Sequence, residues 1–239
     1  LPGLISERGF WMDDEARYAD ILTTMVESGN WLVMKLNGAV YPDKPPLYFW
    51  YLGAIWTLFG TSAPWAVYLG LAGTAAMFYG ATFHMARRIL GDPGQALLAV
   101  AILASGFYLA LNSHYARMDL AFSAAIALSW TQLWLALGAG ALNRRAMILA
   151  FAFMGLAAMV KGPVGVLFPL LTLIGVVLWQ RRPGVLLDRS VLGGLALTSA
   201  IIAAWAGGLI WAAGPGFLAH LFETQIVARG LTRETAPLG

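Results

Sequence analysis

Long apolar runs, cut at intervals by paired arginines, constrain this chain more than any other feature. Residues 64–86 are long enough for a helix to cross the roughly 30 Å hydrocarbon core of a bilayer. Residues 95–112, 119–138, 146–160, 162–179 and 190–213 follow in the same style. Only 11% of the residues are charged, against about 25% in soluble domains. With 59% hydrophobic residues and a mean hydropathy of +0.71, the expected class is an all-α, polytopic membrane protein. Ten Trp, 12 Phe and 8 Tyr suit belts at the two interfaces. A net charge of +3 fits basic cytoplasmic loops, so membrane lipids are expected partners and nucleic acid is not. The absence of Cys excludes disulfides and thiolate metal sites. The start at Leu1 and the polar end at Gly239 read as a piece of a longer protein, lacking an N-terminal membrane helix and a C-terminal portion.

Three regions follow from the pattern. Residues 1–46 form a first outer loop with a juxtamembrane helix, 47–213 a transmembrane bundle, and 214–239 the start of a further outer loop. Arg87-Arg88, Arg144-Arg145 and Arg181-Arg182 with Arg189 are each separated from the next by two apolar segments. Placed together in the cytoplasm, they send the other loops to the opposite side. Those loops contain Asn112, His114, Arg117, Asp119, Lys161, Glu223 and Arg229.

The polar exception is residues 12–30, where Asp13, Asp14, Glu15, Asp20 and Glu27 are five of the chain's 12 acidic residues. Residues 14–28 read as an amphipathic helix, capped by Asp13 and ended by Gly29-Asn30. Tyr18, Ile21, Leu22 and Met25 fall on one face. Residues 31–46 read as loop, and Pro45-Pro46 leave Asp43-Lys44 extended and exposed. Residues 47–60 are short for a span. If they cross, residues 12–46 lie with the basic loops; if they form a re-entrant or interfacial segment, 12–46 join the other polar groups. The short length favours the second arrangement.

Each polar group has two readings. Asp14 and Glu15 beside Arg17 make a carboxylate poised to stay ionised, a general base or metal ligand, or else a solvated interfacial helix. Lys44 is a phosphate ligand or a snorkelling lysine. His114, Arg117 and Asp119 sit between apolar spans, where charge is expensive and usually functional, or else form a tight turn paired with itself. Lys161 interrupts the apolar stretch 146–179 and needs an anion: a carboxylate, a lipid phosphate or a substrate. Arg229 and Glu223 form a weaker set. No Gly-rich phosphate loop, HExxH or CxxC site is present. Several cations with several carboxylates at one membrane face suit a phosphorylated lipid substrate and a general base.

These residues carry a resemblance. Asp14-Glu15-Ala16-Arg17-Tyr18-Ala19-Asp20-Ile21, Ser28-Gly29-Asn30-Trp31, Leu36-Asn37-Gly38, and Lys44-Pro45-Pro46-Leu47-Tyr48 with Trp50 are followed by two further patterns. These are Ala116-Arg117-Met118-Asp119 and Lys161-Gly162-Pro163-Val164-Gly165. Together they resemble the dolichyl-phosphate-mannose–protein mannosyltransferase-like group, and within it the lipid A 4-amino-4-deoxy-L-arabinose transferases. The resemblance implies a GT-C fold, a transmembrane helix bundle with juxtamembrane helices on its outer face. It implies Asp14 as catalytic carboxylate and Asp119 as a second functional acid. Arg17 and Lys44 would contact the carrier phosphate, with Lys161 a further phosphate or carrier contact, and Glu15, Tyr18, Arg117 and Arg229 in support. Asp43 stands where the aminoarabinose branch usually has a glutamate near a metal, so it is the residue that would hold a divalent metal ion; no other cofactor is implied.

The function expected from this is sugar transfer, with inversion, from a polyprenyl-phosphate carrier to lipid A, another envelope glycolipid or a protein. The setting would be the bacterial inner membrane, with the site facing the periplasm or exterior. A transporter or flippase for a lipid-linked anion would use the same cations. It predicts symmetric halves with broken helices at mid-membrane; Gly162-Pro163 fits, but no inverted repeat is apparent. A membrane scaffold with interfacial charges is the third reading.

Overall fold

The computed structural model describes residues 13–41, 43–59, 64–113, 115, 117–138, 140–214 and 216. Helix α1 (Asp13–Ser28) precedes a two-stranded hairpin, β1 (Lys35–Leu36) and β2 (Ala39–Val40), and a short helix α2 (Leu47–Leu58). Seven helices follow: α3 (Pro64–Leu90), α4 (Pro93–Ala104), α5 (Phe107–Asn112), α6 (Asp119–Ala136), α7 (Arg144–Lys161), α8 (Val164–Trp179) and α9 (Arg189–Ala213). The fold is an all-α membrane bundle, as the apolar runs predict. Among the described residues, helices α3 and α9 are both long and apolar enough to span a bilayer by themselves.

The bundle alternates in direction. Helices α3 and α6 run the same way, since Met85 and Ile89 share a groove with Trp134 and Leu137 at their C-terminal ends. The three basic clusters therefore gather at one end. There Arg144 pairs with Asp188 at 3.0 Å, and Asp188 also caps α9 through the Ser190 N–H at 2.8 Å. Arg144 holds the Asp188 carboxyl well below the usual carboxylate range. Leu97, Leu98 and Ile102 on α4, Leu171 and Leu178 on α8, and Leu192 and Trp211 on α9 remain exposed. Such side chains suit a lipid-facing wall or further helices.

Close approach within the bundle depends on small residues, as membrane helix packing generally does. A Cβ on Gly194 would meet the Phe151 ring at 2.3 Å, and one on Gly155 would meet Ile201 at 2.7 Å. Thr198 Oγ1 donates to the Phe151 carbonyl at 2.7 Å, and Ser129 Oγ to the Ala150 carbonyl at 3.0 Å, tying α9 and α6 to α7.

Four expectations are corrected. The run 95–112 is broken into α4 and α5 at Ser105-Gly106. Ser105 Oγ donates to the Ile102 carbonyl at 2.7 Å, and serine and glycine both weaken helix continuation. Residues 31–46 are not plain loop: Asn37 (φ 50°) and Gly38 (φ 79°) make the two-residue turn of a hairpin, the conformation that Asn-Gly favours. Asp13 lies within α1 rather than before it. Asp43 and Lys44 are half-buried rather than exposed.

Residues 47–58 form the short helix α2. A 12-residue helix is roughly 18 Å long, short of the bilayer core. Helix α2 folds back along the start of α3, with Tyr51 over Gly73 and Ile55 over Gly70, and Tyr51 donates to the Gly70 carbonyl at 2.8 Å. Both stay at the end of the bundle away from the basic clusters.

Candidate active site

Helix α1 divides its side chains between two tasks. Tyr18, Ile21, Leu22 and Met25 are buried against Phe49 and Leu52 of α2, Val67 of α3, Met118 and Val160. Each such burial is worth about 1.5–3 kcal/mol gross, enough to clamp the helix to the bundle. Glu15 lies on the same side of the helix and is fully buried. Asp14 and Arg17, one step around the helix, stay at its open edge, 38% and 39% exposed.

That edge meets the loop before α6. Arg17 Nη1 lies 3.4 Å from Asp14 Oδ1. Arg117 Nε lies 3.8 Å from Asp14 Oδ2 and 3.1 Å from Asp119 Oδ2. The Lys161 ammonium pairs with Asp119 Oδ1 and sits over the Phe122 ring, 5.3 Å from its centroid. Arg17, Asp14, Arg117, Asp119 and Lys161 thus form one alternating chain of charges drawn from α1, the 113–118 loop, α6 and α7. Three cations against two carboxylates leave it one positive charge in excess. Gly162 (φ 81°) ends α7 directly after the lysine and turns the chain into α8, which fixes the ammonium at the rim of the bundle.

A second polar layer joins from the hairpin. Arg17 and Asp43 both lie close to the Tyr41 phenol, and Asp43 disfavours its ionisation. Burial first, then Asp43, push Tyr41 up to about 12. Tyr18 is also pushed up, by burial first and then by Tyr41 and Asp14. Both phenols are therefore neutral at physiological pH. Lys44 follows three residues after Tyr41.

Asp14, Arg17, Arg117, Asp119 and Lys161 are brought together, and Glu15 and Tyr18 lie directly beneath. Lys161 finds the carboxylate among its three predicted partners. His114, Glu223 and Arg229 lie outside the described residues. Among the described residues no three His, Cys, Asp or Glu side chains cluster as a metal site, so Asp43 alone does not make the donor set a divalent ion needs. Sequence reasoning gave no role to Tyr41 or Phe122, and treated Arg117 as secondary although it links the two carboxylates. The Asn-Gly pair was the available signal for the hairpin that delivers Tyr41. At the opposite, basic end, a groove of about 680 Å³ is walled by Met85, Trp130, Trp134 and Val176 and closed by Gln180 and Arg182. It is apolar and has no acid among its described lining residues.

The family profile described as dolichyl-phosphate-mannose-protein mannosyltransferase matches residues 43–211. The chain belongs to this family. Among other members, this mannosyltransferase-family chain is similar to the undecaprenyl phosphate-alpha-4-amino-4-deoxy-L-arabinose arabinosyl transferase of Pseudomonas aeruginosa. The two are 33% identical over 196 residues, 80% of this chain and 35% of that protein. The chain thus spans about a third of the length of the curated relatives it matches. It also resembles ArnT from Cupriavidus metallidurans in two crystal structures, apo (TM-score 0.75) and bound to undecaprenyl phosphate (TM-score 0.77). Identity is 26% in both, over 90% of this chain and 40% of that one.

Proposed function

We propose that this chain is the donor-handling part of an integral-membrane glycosyltransferase that moves a sugar from undecaprenyl phosphate, or a similar polyprenyl phosphate, to lipid A or a related envelope acceptor. The observation that carries the reading is the charge chain centred on Asp14, held at one rim of an apolar bundle. A lipid phosphate reaches such a rim with its prenyl tail still in the membrane. The names of the relatives and the lipid held by the Cupriavidus structure support the donor class. The basic loops at the other end support a site on the periplasmic side of the bacterial inner membrane.

The mechanism is a single displacement. The acceptor oxygen forms a bond to the anomeric carbon while the bond from that carbon to the phosphate oxygen breaks, inverting the centre. The bonding pair leaves on the phosphate, and the acceptor's proton goes to Asp14; if the acceptor is already an anionic phosphate, Asp14 orients it. Arg17 and Lys44 offset charge developing on the leaving phosphate. Lys161 pairs with Asp119 and has two further N–H donors that can face the phosphate, with Arg117 holding both acids in register.

Incubating the full-length protein with a radiolabelled undecaprenyl-phosphate sugar and lipid A tests the reading. Labelled acceptor and free undecaprenyl phosphate are expected in equal amounts; donor moved across the membrane without cleavage would instead identify a flippase. In the same assay Lys44→Ala is expected to lower kcat/KM for the donor about ten- to a hundredfold, the scale of a lost bond to a charged group. Unchanged donor KM and kcat would remove Lys44 from the phosphate site.

A further inference from the structure

Asp20 follows Arg17 by three residues on α1, yet it belongs to none of the ion pairs in the charge chain. Its Oδ2 accepts the backbone N–H of Asn37 at 2.7 Å. That N–H opens the β1–β2 turn, in which Asn37 and Gly38 both have positive φ. With two residues per strand the hairpin is too short to be stable alone, so its position depends on what holds it.

Three contacts do so. Asp20 fixes the tip. The Tyr41 N–H donates to the Met34 carbonyl at 2.8 Å and closes the base. The Tyr41 ring is buried edge-on to Phe49, with centroids 6.1 Å apart. Asp43 and Lys44 follow Tyr41 by two and three residues. One helix therefore carries Asp14, Arg17 and the carboxylate that ties down the strand leading to Lys44.

We propose that Asp20 is a positioning residue for donor binding: by accepting the Asn37 N–H it sets the hairpin, and through it Lys44, at a fixed place along α1 from Asp14 and Arg17. This rests on the reading of Lys44 as a phosphate contact. A carboxylate acceptor makes a stronger bond than a neutral one, and the atom it holds is a backbone N–H, so the restraint acts on the chain path itself.

The test uses the full-length protein, with steady-state kinetics and direct binding of undecaprenyl phosphate. Asp20→Ala is expected to raise donor KM and the Kd for undecaprenyl phosphate about five- to tenfold, with kcat within about twofold of the parent. Asp20→Asn keeps an oxygen acceptor and is expected to restore both to within about twofold. Gly38→Val meets open space but strains the turn, and is expected to raise donor KM in the same way. That variant keeps the proposal testable if Asp20→Ala does not fold. Unchanged donor affinity in Asp20→Ala or Gly38→Val, or an Asp20→Asn protein as weak as Asp20→Ala, overturns the proposal. Lys44→Ala run alongside separates the two ideas. If it weakens donor use and Asp20→Ala does not, the positioning role alone fails; if Lys44→Ala is silent, the phosphate site itself is wrong.

Discussion

Replacing Asp14 by Asn is expected to lower sugar transfer at least about a hundredfold, with little change in protein yield or unfolding temperature. General acid–base groups typically contribute about 10²- to 10⁴-fold, and Asn keeps the shape while removing the proton acceptor. The structural cost is small because Asp14 is 38% exposed and its partners Arg17 and Arg117 are 39% and 40% exposed. Ion pairs so open are worth about 0–1 kcal/mol. Loss of activity would therefore report chemistry, not unfolding. The loss should appear in kcat, since Arg17 and Lys44 remain to bind the donor. Measuring single-turnover transfer with saturating donor checks this, and an Asp14→Asn protein of near-parental rate would dismiss Asp14 as the base.

Gly165→Ala is expected to be the most damaging small substitution in the bundle, costing about 3 kcal/mol or more. A Cβ there would lie 2.3 Å from the backbone nitrogen of Ala158 and 2.4 Å from the carbonyl carbon of Ala157. A side chain in the way can rotate aside; the backbone of α7 cannot. Helix α7 would have to move away from α8 just beside Lys161, so the Lys161–Asp119 pair should loosen and transfer should fall with stability. Gly175→Ala is the control. The same helix position type meets nothing within 4 Å there, and alanine should be neutral or stabilising by up to about 1 kcal/mol. Thermal unfolding in detergent compares the two, and equal midpoints would refute the packing argument.

How far the site could be read in advance depended on whether its parts are local. The face of α1 was legible because Tyr18, Ile21, Leu22 and Met25 recur at helical spacing, and all four are buried. The gathering of the basic clusters at one end of the bundle was legible because the arginine pairs are spaced by two apolar runs. The hairpin was missed although Asn37-Gly38 signals one, because its strands are too short to show an alternating pattern. The break at Ser105-Gly106 was hidden inside a run that stays apolar on both sides.

The sequence by itself determined the class of the protein, the direction of its helices and the residue types available at one membrane face, since these follow from hydropathy, arginine placement and helical period. Only the tertiary structure decided which charge meets which. Arg117 reaches both Asp14, 103 positions earlier, and Asp119. Lys161 finds Asp119 across 42 positions. Asp20 holds Asn37 across 17. Ion pairs and single hydrogen bonds of this kind leave no periodic trace, because any nearby opposite charge satisfies the local chemistry. The choice among them is made by where α1, α6 and α7 are forced to lie when their apolar faces are buried.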